Sequence, residues 1–178
     1  MNLCTFEKPS RYINNEINAV YKNAPLKAAL AFPDIYDIGM SHLGLKILYG
    51  IINSLPYASA ERVFSPWLDI EKTMRAEGIP LCSLESKRPL RDFDIVGFSL
   101  QYELCYTTVL NMLSLGHIPV RSEEREAKDP LVIAGGPCTV NPLPMSPFID
   151  AFLIGDGEEA IIEITDALYR WKSEGDGK

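Results

Sequence analysis

Five short apolar runs, separated by stretches with helical spacing, constrain this chain more than any other feature. They are Lys27–Phe32 (KAALAF, closed by Pro33), the weaker Ala60–Phe64 (AERVF), Asp94–Leu100 (DIVGFSL), Pro130–Ala134 (PLVIA) and Asp150–Ile154 (DAFLI). Runs this short and this continuously apolar suit strands of a parallel sheet covered on both faces. Right-handed crossovers between parallel strands leave few ways to connect them. The pattern predicts an α/β three-layer sandwich whose five-stranded parallel sheet has the order 2-1-3-4-5.

The covering helices are legible from their apolar stripes. Ser41 is placed to cap a helix carrying Leu43, Ile47, Leu48, Ile51, Ile52 and Leu55, which Pro56 stops. Trp67–Glu77 reads as a second helix, closed by Gly78. A third carries Tyr102, Cys105, Tyr106, Val109, Leu110 and Leu113 and ends at Gly116. The last opens at Gly155-Asp-Gly-Glu158 and turns Ala160, Ile161, Ile164, Ala167, Leu168 and Trp171 inward. Ahead of the first strand, Pro9–Tyr21 has an amphipathic helical pattern through Tyr12, Ile13, Ile17, Val20 and Tyr21. The expected organisation is a helical arm over 1–24, one flavodoxin-like α/β domain over 25–173 and a frayed tail over 174–178.

A length of 178 residues with 47% apolar and 23% charged residues can bury a core without metal or disulfide staples. The net charge of −7 and the lack of any basic stripe exclude a nucleic-acid surface. Cys4, Cys82, Cys105 and Cys138 form no Cys-x-x-Cys pair, so neither a zinc site nor an iron–sulfur cluster is expected. Cys105, within an apolar helical stripe, reads as a buried free thiol. No signal pattern opens the chain and no apolar run spans a membrane, which points to the cytoplasm and to no membrane partner.

In a sheet of this order, ligands sit where loops leave the C-terminal strand ends. Four loops are informative: Pro33-Asp-Ile-Tyr-Asp-Ile-Gly-Met-Ser-His-Leu-Gly44, Ser99-Leu-Gln-Tyr-Glu103, Gly135-Gly-Pro-Cys-Thr-Val-Asn-Pro142 and Gly155-Asp-Gly-Glu158. Glycines let backbone approach a flat or bulky ligand, and amides at helix starts suit oxygen-rich groups. Each loop taken singly is also an ordinary turn.

These residues resemble the signatures of cobalamin-binding domains, which read Asp-x-His-x-x-Gly, Ser-x-Leu and Gly-Gly after strands one, three and four. Asp34-Ile-Tyr-Asp-Ile-Gly39 aligns with the first, with Tyr36 in place of the cobalt-ligating histidine. Ser99-Leu100-Gln101 keeps the serine of the second but has glutamine at the leucine position, and Gly135-Gly136 matches the third. The runs GMSHLGLKILYGIIN and GDGEEAIIEI resemble the cobalamin-domain half of radical S-adenosylmethionine (SAM) proteins, and Arg11–Ile164 as a whole resembles one uncharacterised family of that kind. The resemblance implies a cofactor site at Asp34, Tyr36, Gly39, Ser99, Leu100, Gly135 and Gly136. The site holds cobalamin or is a scaffold that has lost it. It also implies a downstream radical SAM barrel as partner, whose Cys-x3-Cys-x2-Cys would carry a [4Fe-4S] cluster and S-adenosylmethionine. That motif is absent from this sequence, so no catalytic and no metal-ligating residue is assigned.

A phenol is a poor cobalt ligand at neutral pH, so cobalamin here would lack a protein nitrogen beneath the metal. His42 is read as a first-turn histidine bonded near the crevice, and Glu61–Arg62 and Arg121–Lys128 as solvated surface. A phosphoacceptor receiver would need an Asp closing strand three and a Lys closing strand five. Phe98-Ser99 and Gly155-Asp156 stand there instead. A flavin- or nucleotide-binding flavodoxin-like module, with only Ser41 to serve a phosphate loop, and a pure interaction domain remain as alternatives.

Overall fold

The computed structural model describes residues 6–13 and 16–174. Its sheet has five strands: β1 (Leu26–Phe32), β2 (Ala58–Phe64), β3 (Ile95–Ser99), β4 (Leu131–Gly135) and β5 (Ala151–Phe152). The order is β2-β1-β3-β4-β5, and every neighbouring pair is parallel. This is the flavodoxin-like arrangement the pattern predicts. The helices are α1 (Tyr36–Gly39), α2 (Leu43–Ser54), α3 (Leu68–Glu77), α4 (Tyr106–Leu115) and α5 (Ala160–Glu174).

Strand alternation divides the core into two layers. Leu30, Ile95 and Ile133 point to the side of α2 and α5, where they meet Leu45, Ile52 and Ile161. Ala31, Val96, Phe98 and Val132 point to the side of α3 and α4, against Ile70, Met74, Val109 and Met112. Sheet centre and both helical layers are thereby dry, as parallel strands require.

β2 lies at the sheet edge, yet all seven of its residues are buried. The chain between α3 and β3 covers that edge. Leu84 N donates to Arg62 O at 2.7 Å. Glu85 returns its carboxylate, accepting from Arg62 N at 2.8 Å and from Arg62 Nε at 2.7 Å. Beside it, Glu61 accepts from Ser83 Oγ and from Ser86 N and Oγ. Glu61 and Arg62 are therefore not solvated surface: they are 9% and 3% exposed. The guanidinium also lies 4.6 Å over the Tyr49 ring and 3.8 Å from Glu16 Oε2.

Other local expectations need correction. Among the described residues, the arm over 9–21 holds only a short 3-10 turn, Pro9–Arg11, in place of an amphipathic helix. Asn14 and Asn15 lie outside the described residues. The arm's polar groups are spent on the domain: Arg11 on Asp37, Tyr12 on Asp69, and Val20 N on the Tyr49 hydroxyl. Ile17 is fully exposed. β5 is two residues long, and Trp171, expected inward, is 58% exposed on the last turn of α5. Within 121–128, the Arg125 side chain is only 5% exposed, donating to Pro119 O, Val120 O, Phe148 O and Asp150. Gly78 closes α3 in the left-handed region, but at the end of α4 it is His117, not Gly116, that has positive φ. Glu174 still belongs to α5, and the rest of the expected tail, like Cys4, lies outside the described residues. Cys105 is a buried free thiol.

Candidate functional site

At the C-terminal edge of the sheet, a cleft of about 240 Å³ opens between α2 and α5. Its floor is Leu30, Gly97 and Ile133 from the three central strands. Gly97 makes this depth: a methyl placed there would touch only Ile133 and Leu30, at 3.6 Å or more. The missing side chain therefore leaves open space over the sheet. Leu45, Leu48 and Ile161 form the walls. The rim comprises Ser99, Gln101, Gly135, Gly136, His42 and the loop Gly155–Glu158.

The rim's polar groups are positioned by local bonds. Ser99 Oγ accepts from Gln101 Nε2 at 2.7 Å, which leaves the hydroxyl proton free to donate. His42, not Ser41, caps α2: its Nδ1 accepts from Leu45 N at 3.1 Å. Ser41 Oγ instead donates to Ile38 O. With Nδ1 acting as an acceptor, the neutral imidazole carries its proton on Nε2. His42 thus offers a donor, not a metal-binding lone pair. Its ring also packs on Phe32, 4.9 Å between centroids. Gly136 has φ 101°, and a Cβ there would lie 2.8 Å from Leu100 O. That tight turn is fixed by Leu100 N to Gly135 O and Cys138 N to Leu100 O. It sets the amides after β4 beside the cleft.

Of the seven residues assigned to the implied cofactor site, the fold brings Ser99, Gly135 and Gly136 together here. The other four lie elsewhere. Leu100 is buried in the α3/α4 layer. Gly39 is buried where a Cβ would stand 2.4 Å from the Phe64 ring. Asp34 ties two loops together, accepting from Ile35 N and from the Tyr102 hydroxyl. That bond is the first cause of a Tyr102 pKa raised to about 12, with burial second. Tyr36 turns away and lines a separate cavity. Its ring packs edge-on against Phe64, and its hydroxyl donates to Glu16 Oε1 at 3.0 Å. Burial, then the Glu16 carboxylate, raise its pKa, so it is held as a neutral phenol. Tyr36 and Gly39 therefore do not share the cleft with Gly135 and Gly136: the chain after β1 reaches it through His42 and Gly44.

The Gly155–Glu158 loop lines the cleft where the sequence places it, whereas Gly97 is not among the expected site residues. The signal for Gly97 was present: a glycine inside an otherwise apolar strand marks a close approach. No group of three His, Cys, Asp or Glu side chains able to hold a metal ion occurs among the described residues. Among them, no helix is long and apolar enough to cross a membrane.

The fold and the cleft define a flavodoxin-like α/β module with an open crevice at its C-terminal sheet edge. The family described as "Radical SAM proteins, N-terminal" matches residues 44–178, and the chain belongs to that family of radical SAM N-terminal domains. Among solved structures, the chain is similar to a putative pilus assembly-related protein from Burkholderia pseudomallei. Identity is 10%, with 85% of this chain and 95% of that one covered and a TM-score of 0.42. It is also similar to the signal receiver domain of an HD domain-containing protein from Pseudomonas fluorescens. There identity is 14%, with 88% and 96% covered and a TM-score of 0.43. No curated protein matches the chain.

Proposed function

We propose that this domain is a non-catalytic cobalamin-binding module of a radical SAM protein, holding the nucleotide tail of a corrinoid in the cleft between α2 and α5. The observation that carries the reading is the cleft itself. A side-chain-free floor at Gly97 continues into Gly135 at the rim, where a Cβ would meet nothing within 4 Å. A planar heterocycle fits such an apolar slot, and its polar tail meets donors at the mouth. Those donors are the Ser99 hydroxyl, the His42 Nε2 proton and the amides of the Gly135-Gly136 turn.

The donor set fits a corrinoid bound without a protein ligand on cobalt. Tyr36 is engaged with Glu16, and His42 spends its lone pair on Leu45 N. A cofactor held this way supplies the chemistry of methyl-group transfer, while the chain's own residues bind its tail and keep water off its apolar face. The [4Fe-4S] cluster and S-adenosylmethionine belong, in this reading, to a barrel downstream in the same chain. Exposed Leu43, Leu104, Val140, Leu143 and Ile154 surround the same sheet edge, which favours its burial against that barrel. The interaction-scaffold reading rests on this rim alone.

Titration with hydroxocobalamin, followed in the visible spectrum, tests the proposal. Saturable binding is expected, and Gly135→Trp, which fills open space without backbone strain, should abolish it. Electron paramagnetic resonance of the cob(II)alamin form should show no histidine nitrogen on cobalt. Binding unaffected by Gly135→Trp, or a protein nitrogen in the spectrum, would overturn the assignment.

A further inference from the structure

A second cavity, of about 370 Å³, lies beyond the C-terminal end of β2, and none of its lining residues belongs to the cleft. Its volume falls within the usual range for small-molecule pockets, roughly 300–1,000 Å³. Ile70 and Met74 of α3 and Ile79 and Leu81 of the edge-covering segment give it an apolar wall. Two cations also line it: Arg11 from the arm and Lys87 from the turn before β3.

The bonding of these two side chains is incomplete in a specific way. Arg11 donates from Nε to Asp37 Oδ2 at 2.6 Å, and its guanidinium lies 4.9 Å over the Trp67 ring. Its Nη1 is buried and has no hydrogen-bond partner among the described residues. A buried charged donor without an acceptor is costly and calls for one. Lys87 Nζ donates to Tyr12 O at 3.3 Å, which uses one of its three protons. Lys87 also sits at φ 58°, a left-handed conformation uncommon for a side-chain-bearing residue.

We propose that this cavity binds a small amphipathic carboxylate, its apolar body against Ile70, Met74 and Ile79 and its two oxygens on Arg11 and Lys87. The class follows from the donor count. One guanidinium nitrogen and one ammonium satisfy the two oxygens of a carboxylate, whereas a phosphate dianion needs a fuller cradle. Burial pulls the Lys87 pKa below its ordinary value, with Glu16 the first of the charges opposing it, and a bound anion would restore it. The proposal does not depend on the corrinoid reading, because the two sites share no residue.

The test uses the 178-residue chain, hydrocinnamate as probe and amide proton–nitrogen spectra as readout. Hydrocinnamate should shift the amides of 70–74 and 79–87 saturably, and the neutral hydrocinnamamide should bind about tenfold more weakly or worse. Lys87→Gln should weaken hydrocinnamate by about tenfold and leave the amide unchanged. Met74→Trp should remove both by filling the cavity. Arg11→Gln should act like Lys87→Gln, and where it disturbs the arm, Lys87→Gln carries the charge test alone. No saturable shift at about 10 mM probe, equal binding of acid and amide, or shifts confined to 97–101 and 133–136 would each refute the site.

Discussion

Removing the carboxylate of Glu85 should be among the most damaging single changes in this domain. Arg62 and Glu85 have side chains only 4% and 1% exposed, 2.7 Å apart. Glu85→Ala leaves a buried guanidinium without its closest anion, and breaking a buried pair from one side costs about 3–5 kcal/mol. The same change strips Arg62 N of its acceptor on an edge strand that has no other sheet neighbour at that side. For a chain of this length each kcal/mol moves the melting point by about 2–4 °C, so the expected drop is roughly 6–20 °C. Arg62→Met should cost a comparable amount, since it leaves Glu85 charged and buried. The double variant Arg62→Met/Glu85→Gln removes both charges yet keeps an amide oxygen for the backbone N–H, and should recover most of the loss. Urea unfolding of the wild type, Glu85→Gln, Arg62→Met and this double variant, followed by circular dichroism, gives the four free energies of a closed cycle, with an expected coupling of about 3 kcal/mol. A coupling under about 0.5 kcal/mol would refute the view that this pair pins the edge cover.

Three further outcomes follow from the same geometry. Gly97→Ala should stabilise the fold by about 0.4–1 kcal/mol, because its Cβ meets only ordinary contacts, while weakening hydroxocobalamin binding; stability and affinity moving together would contradict the assigned floor. Gly136→Ala should destabilise by about 1–3 kcal/mol through its φ of 101° and its contact with Leu100 O, measurable in the same urea assay. Tyr12 and Tyr49, mainly by burial, and Tyr102, mainly by its bond to Asp34, are raised to about 12. The folded state therefore holds protons that the unfolded state releases from about pH 10 upward. Stability conferred by these groups should be complete below pH 10 and lost as pH rises towards 12, with late phenolate absorbance; tyrosines that all titrate near pH 10 without unfolding would contradict this.

The strand order was legible because it depends on little beyond alternation and crossover handedness. All five apolar runs coincide with strands to within about two residues at either end, and the Gly135-Gly136 turn emerges where a parallel sheet must place it. What escaped the sequence depends on partners distant in the chain or lying in irregular segments. Glu61 and Arg62 look like surface until the segment 83–86 folds over them. The arm's apolar spacing matches a helix, yet a marginal helix forms only with tertiary support, and the arm's contacts tie it down in another conformation. Tyr36 was placed in the cleft by position in a motif, whereas its orientation follows from Glu16 and Phe64. His42 and Gly97 set the cleft for reasons of hydrogen-bond geometry and side-chain volume that a motif does not record.

Mapping where a corrinoid touches the chain tests the central claim most directly. In amide proton–nitrogen spectra of the 178-residue chain, diamagnetic hydroxocobalamin should shift residues 97–101, 133–136 and 155–158 together, saturably, while 79–87 stay in place. Shifts absent from the cleft, or centred on the Tyr36 cavity, would contradict the account.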